Sequence, residues 1–260
     1  MDKLFIIKIG GNVIDDDACL KNFLKKFSKI KEKKILIHGG GKLATIISSK
    51  LGIEQKFVNG RRITDFDTLE IATMVYGGLI NKKIISILQA ETCNSLGVTG
   101  VDLNLILAKK RTSSEIDFGF VGDIVEVNSR EIQKISEQGV SLVVAPITHD
   151  GAGQLLNTNA DTIAKEISIA MNKYFDVELI YLFEKDGVLK NFDDENSVID
   201  ALSLTEYEKL KSDGKIFSGM LPKLENIFSA LSLGLKNITI GNADKIEEVI
   251  SGNSGTKFIL

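Results

Sequence analysis

Histidine, cysteine and proline are scarce: two residues of each stand in a chain of 260. Cys19 and Cys93 are far apart and form no CxxC pair, so the spacing excludes a disulfide framework or a cysteine-based zinc site and predicts a reduced, cytoplasmic chain with two structural thiols. His38 and His149 are too few for a histidine-rich metal site. Basic charge is not in excess: the net charge of −3 offers no global field for nucleic acid. No uninterrupted apolar run approaches the roughly 20 residues a membrane span requires, and the N-terminal residues show no signal peptide. Fixed-period repeats and low-complexity tracts are also missing. GxxxxGK[ST] is absent, and so is GxGxxG after a strand, which removes the fingerprints of a P-loop and of a nicotinamide or flavin site.

Glycine is plentiful, at 23 residues, and it clusters at the ends of apolar runs. Residues 4–9 read as a buried strand and 16–30 as a helix, with Leu20, Phe23, Leu24, Phe27 and Ile30 at helical spacing. "KILIH" (34–38) reads as a strand leading into "GGG" and a helix over 42–51. A long helix follows over 65–90, capped by Thr64 or Asp65. Residues 99–128 read as β-rich, with "FGFVGDIVEVN" as a hairpin. Helices at 129–138, 159–172, 203–214, 220–234 and 243–251 alternate with strands at 141–147, 178–183, "NITIG" and "TKFIL". The alternation, with strands apolar on both faces, predicts an α/β fold: a mostly parallel open sheet between two helical layers. Ligands of such sheets bind at the carboxyl ends of the strands, so the strand–helix turns are where chemistry is expected.

Lys8 stands out there. It interrupts the apolar run "LFIIKIGGN" two residues before Gly10 and Gly11, where a lone buried ammonium is unfavourable. Adjacent glycines let backbone N–H groups approach an anion, and the lysine adds a point charge, so "KIGGN" reads as a phosphate site or as a surface turn with a snorkelling lysine. "HGGGK" (38–42) places Gly40 and Gly41 at a helix start suited to a carboxylate or phosphate; His38 beside them reads as a packing residue rather than a base. "VNGRRITD" offers Arg61 and Arg62 as carboxylate forks or as a solvated loop. "NTNAD" places Asn157, Asn159 and Asp161 at a helix start, where Asn159 caps and Asp161 suits the dipole or holds a lysine. Gly219 precedes a helix whose first turn carries Lys223, against the dipole, a position that favours a bound anion or an exposed side chain.

Taken in order, "KIGGN", "HGGGK", "NGRRIT", "NTNAD", "DGVL" and "GMLPK" resemble the amino acid kinase family, and within it the acetylglutamate kinases of arginine biosynthesis, over nearly the whole chain. The resemblance implies a three-layer αβα sandwich with an N-terminal lobe (1–174) for the acyl amino acid and for dimerisation, and a C-terminal lobe (175–260) for ATP. It implies transfer of the ATP γ-phosphoryl group to a side-chain carboxylate, with Lys8 and Lys223 stabilising the phosphoryl group and Asp161 organising them. Gly40, Gly41, Arg62 and Asn157 match substrate-binding positions; Gly10, Gly11, Glu184, Gly187 and Gly219 match nucleotide-side positions. Magnesium is expected on ATP oxygens, with no dedicated metal cluster in the protein. A carboxylate acceptor is already a nucleophile, so the shortage of histidine is no obstacle.

Two departures set further expectations. "LFEKDGVL" puts Phe183 where the family has a small polar residue and Glu184 where it has aspartate. Arg61 replaces a usually apolar residue near the acyl pocket; it points to an N-succinyl substrate if it faces the pocket, or to solvent if it does not. A homodimer without strong arginine feedback is expected, because the chain starts two residues before its first strand. The rivals are another kinase of the family, such as an aminoadipate type, and a non-catalytic ligand sensor.

Overall fold

Alternate residues of the first strand, Lys3–Ile9 (β1), enter two different cores: Leu4 and Ile6 face one, Phe5, Ile7 and Ile9 the other. That period of two is what a sheet buried on both faces demands. The computed structural model describes residues 1–58, 61–112, 116–191, 194–195, 197–214 and 220–260, with Arg61 and Pro222 described in their backbone alone.

Among the described residues the central sheet has eight strands. In chain order they are β1, Lys33–His38 (β2), Ser95–Thr99 (β3), Ser141–Ala145 (β4), Asp176–Phe183 (β5), Ala201–Ser203 (β6), Asn237–Asn242 (β7) and Thr256–Ile259 (β8). Their spatial order is β6-β8-β7-β5-β1-β2-β4-β3. Every pairing is parallel except β7 with β8. β1 thus lies in the middle, with Lys8 opposite Tyr181 of β5 and Ile37 of β2.

Helices cover both faces, as expected of an αβα sandwich. One layer holds Gly11–Asp15 (α1), Asp17–Ser28 (α2), Gly41–Lys50 (α3) and the long helix Phe66–Ala90 (α4). Phe23, Leu24 and Phe27 of α2 and Ile84 and Leu88 of α4 fill that core. The other layer holds Ser129–Glu137 (α5), Ala160–Met171 (α6), Leu204–Ser212 (α7) and Leu221–Ser232 (α8). Ile163, Ile167 and Met171 of α6 and Leu224 and Ile227 of α8 are its inward stripes. The last helix, Ile246–Ile250 (α9), returns to the first layer. Each such buried aliphatic side chain contributes about 2 kcal/mol, enough in sum for this core to hold a desolvated ion pair costing several kcal/mol.

Local signals explain the helix ends. Asp65 caps α4 by accepting from the Thr68 N–H, Asn159 caps α6, and Ser203 with Glu206 forms a capping box on α7. The structure corrects or adds to the expectations at four points. "FGFVGDIVEVN" is not a hairpin: Gly122–Val127 pairs antiparallel with Ile106–Lys110, and the residues before it bridge elsewhere, Gly119 to Thr64 and Val121 to Asn157. The apolar run 141–147 is cut at Pro146, which has no N–H to continue a ladder, and Ile147–His149 joins a second sheet with Leu155–Asn157. The C-terminal strand β8 runs antiparallel to β7.

The fourth concerns α4. It is long and apolar enough to cross a membrane by length and composition, at mean hydropathy 1.3, although polar residues interrupt each of its apolar runs. Its inward residues Leu69, Ile71, Val75, Ile80, Ile84 and Leu88 are buried in the protein core. The middle of α4, Thr73–Ile80, is π-helical.

Candidate active site

Strand parity decides what Lys8 meets. Lys8 shares a face with Leu4 and Ile6, the face covered by α6 and α8. Asp161, in the first turn of α6, reaches it: Lys8 Nζ lies 2.6 Å from Asp161 Oδ1, and both side chains are nearly buried. Burial alone would raise the Asp161 carboxyl, but the ammonium charges of Lys8 and Lys223 outweigh it and hold the group below its ordinary value. Lys223, in the first turn of α8, is held below the ordinary lysine value by burial and then by Lys8, against the attraction of Asp161 and Glu184. Lys8 thus pairs with the buried carboxylate while Lys223 stands in its field without an ion pair, so the cluster carries an excess positive charge suited to an anion. The Tyr181 hydroxyl donates to the Asp161 backbone carbonyl at 3.2 Å, tying α6 to β5 at this point.

Two glycine turns flank the cluster, since β1 and β2 are neighbours and Ile9 lies opposite His38. Gly10 and Gly11 differ in kind. The Gly10 N–H is used, donating to the Leu182 carbonyl at 2.8 Å. Gly11 begins α1, a helix start with no side-chain cap. Gly40 precedes α3 with φ of +143°, again without a side-chain cap. His38 is fully buried; its Nδ1–H donates to the Gly39 carbonyl and its Nε2 accepts from Asn81. Burial pushes its pKa down to about 4, so it is a neutral packing residue, as the sequence suggested.

Arg62 is assembled against the second turn. Its Nη2 donates to the Gly41 carbonyl at 2.7 Å and to Thr45 Oγ1 at 2.9 Å, its Nη1 donates to Gln55 Oε1, and Phe57 stacks beside it. Asn157 joins this group through Thr64, whose hydroxyl accepts from Asn157 Nδ2 at 3.0 Å. Tyr76, on the π-helical stretch, packs under Gly40 and Gly41 and meets the Arg62 guanidinium. Thr45, Gln55, Thr64, Tyr76 and Tyr181 were not legible as site residues. Only the "YGG" interruption of an apolar helix marked one of them.

The structure thus brings Lys8, Asp161 and Lys223 together at the carboxyl end of β1, and Gly40, Gly41 and Arg62 together after β2, with Asn157 tied by its side chain to Thr64, two residues beyond Arg62. Glu184 follows β5, exposed, and acts on Lys223 through its charge. Gly187 is buried against Thr256 and Val198, where a Cβ would lie 2.5 Å from Thr256 Oγ1; close packing explains this glycine. Gly219 and the side chain of Arg61 lie outside the described residues. Among the described residues no group of three or more His, Cys, Asp or Glu side chains forms a metal site.

A sequence profile described as the amino acid kinase family matches residues 3–242. The chain is similar to an acetylglutamate kinase of Cytophaga hutchinsonii, 51% identical over 262 residues, covering 100% of this chain and 99% of the relative. Its fold is similar to N-acetylglutamate synthase from Neisseria gonorrhoeae complexed with coenzyme A and N-acetyl-glutamate, at TM-score 0.84 and 17% identity, covering 100% of this chain and 59% of that one. It is also similar to carbamate kinase from Giardia lamblia bound to AMP-PNP, at TM-score 0.67 and 13% identity, covering 99% and 98%.

Proposed function

The chain belongs to the amino acid kinase family, and from that premise we propose that it transfers the ATP γ-phosphoryl group to the side-chain carboxylate of N-acetyl-L-glutamate. The observation that carries this reading is the Lys8–Asp161 pair with Lys223 beside it, between two glycine turns. A carboxylate oxygen attacks the γ-phosphorus, the bond to the β-phosphate oxygen breaks, and ADP leaves with that electron pair. No base is required. What is required is that two anions meet, and the two lysines neutralise them. Asp161 keeps the two ammoniums from separating. Arg62 grips the α-carboxylate of the substrate, with Gly40, Gly41 and Asn157 around it. Gly10 and Gly11 face the phosphates, and Glu184 lies on the nucleotide side. Asp161 is paired with Lys8 and the described residues hold no metal cluster, so magnesium would be held by the phosphate oxygens of ATP and would screen their charge.

In this reading residues 1–174 hold the acyl amino acid and 175–260 the nucleotide. The enzyme acts in the cytoplasm, on the route to arginine; two free cysteines, Cys19 and Cys93, are compatible with a reducing compartment. A homodimer is supported by the apolar surface that α4 leaves open: Met74 and Leu79 are 57% and 52% exposed, beside the edge strand β3 with Leu96 43% exposed. The N-succinyl alternative is not favoured, since the relative matching the whole chain carries the acetyl name.

The test is a hydroxamate assay for acyl phosphate with Mg-ATP and a panel of N-acyl glutamates. Acetylglutamate should give product and Lys8→Ala should give almost none. No product from acetylglutamate overturns the reading.

A further inference from the structure

We propose that Phe183 is a positioning residue: the face of its ring seats the Lys223 ammonium beside the Lys8–Asp161 pair. This rests on the reading of Lys223 as a phosphoryl-stabilising lysine. Lys223 Nζ lies 5.1 Å from the centroid of the Phe183 ring, within the range of a cation–π contact. Phe183 ends β5 and is only 8% exposed, so the contact is largely withdrawn from water, where such attraction is strongest. Its parity places it on the same face as Tyr181, toward α6 and α8. The base of the side chain, not its ring, is what β1 approaches: the Gly10 N–H donates to the Leu182 carbonyl, and a Cβ on Gly10 would stand 3.4 Å from Phe183 Cβ.

Lys223 requires such a seat. The first turn of α8 carries no acidic residue, so the helix start repels the ammonium. Lys8 repels it too, and Asp161 is already engaged by Lys8 at 2.6 Å. Among the described residues no carboxylate forms an ion pair with Lys223. Without the ring, an unbound Lys223 would swing toward solvent and Glu184. The ring holds the charge by its face, with no hydrogen bond that an arriving phosphoryl oxygen must displace. All the donors of the ammonium stay available for the reaction. That is a specific reason for an aromatic residue where a small polar one would leave the lysine loose.

The experiment compares Phe183→Leu, Phe183→Met and Phe183→Tyr with wild type in the full-length enzyme. Leucine and methionine keep an apolar wall and lose the ring; tyrosine keeps both. In the leucine and methionine variants kcat falls about tenfold with KM for acetylglutamate unchanged, and in the tyrosine variant it is retained. Removing the ring favours the neutral amine, so the alkaline limb of the kcat–pH profile moves to lower pH in Leu and Met but not in Tyr. A second readout is independent of turnover. In protein labelled with 13C-lysine and free of substrate, the Lys223 resonance, assigned by its loss in Lys223→Arg, carries an upfield ring-current shift in wild type and Phe183→Tyr. That shift disappears in Phe183→Leu. A Lys223 resonance unchanged across the series, full kcat in Leu and Met, or a tyrosine variant as impaired as leucine each overturns the proposal. Wild type that makes no acyl phosphate but shows the ring-current shift would reject the kinase reading and keep the contact.

Discussion

Lys8, Lys223 and Asp161 leave one positive charge in excess in a nearly buried site, so these residues trade stability for affinity toward an anion. The trade is asymmetric. Asp161→Asn removes the carboxylate that pairs with Lys8 and leaves two like charges without it. It should lower stability by about 3 kcal/mol in urea melts, and kcat by about 100-fold. Lys223→Met removes the repelled charge and keeps an apolar stem. It should raise the thermal midpoint by roughly 2–4 °C while lowering kcat by about 100-fold or more. A Lys223→Met protein less stable than wild type would contradict this account. Lys8 stood out in the chain as an ammonium in an apolar strand, with a snorkelling turn lysine as the other reading, and its burial against Asp161 became visible only in the fold. Asp161 was legible as a helix-start residue or as the holder of a lysine, and Tyr181 not at all: the contact that makes it matter joins positions 20 apart on different elements.

Among the elements, the loop that bears Gly119 is the sharpest test of how the acyl side is built. Gly119 has φ of +71°, and a Cβ there would lie 2.1 Å from the Thr64 carbonyl oxygen, a backbone atom that cannot move aside. Thr64 bonds Phe118 and Phe120 across this turn and accepts from Asn157. Gly119→Ala should therefore raise KM for acetylglutamate roughly tenfold or more and leave KM for ATP unchanged, with a stability loss of about 2 kcal/mol. Equal effects on both substrates would show that the turn is not confined to the acyl side. Element type was readable where one period ran long, as in β1, α2, α6 and α8. It failed where neighbours decide. The π-helical turn of α4 depends on packing beneath Gly40, and the partner of Gly122–Val127 is chosen by a distant strand. The reversed direction of β8 likewise leaves no mark in "TKFIL".

Over the whole molecule, two properties can be measured without substrate. His38 has a folded pKa of about 4 against an ordinary 6.5. Between those values the unfolded chain binds a proton that the folded chain refuses. Its contribution is intact above pH 6.5 and is lost as pH falls toward 4, by about 3 kcal/mol in total. Urea melts at pH 7 and pH 4.5 should show most of that loss, and a His38→Gln protein, with no titrating ring, should show less of it. The second property is assembly. Replacing Met74 and Leu79 together by glutamate should turn the proposed dimer into a monomer in sedimentation, with the fold retained in circular dichroism. A dimer that survives both charges must use another surface.

The bond from Gly10 to Leu182 has one more consequence, and it concerns time rather than place. It continues the β1–β5 ladder one residue beyond the strand, so the Gly10 amide should exchange its proton with solvent as slowly as the core of the sheet. The amides of Gly11 and Asn12, at an uncapped helix start, should exchange far faster. Two adjacent glycines would then differ by orders of magnitude in protection, one a fixed hinge post and the other an open hand. Nucleotide should slow the second and leave the first unchanged. Hydrogen exchange read by NMR, residue by residue, would register that difference, and equal protection at both positions would mean that the turn moves as one piece.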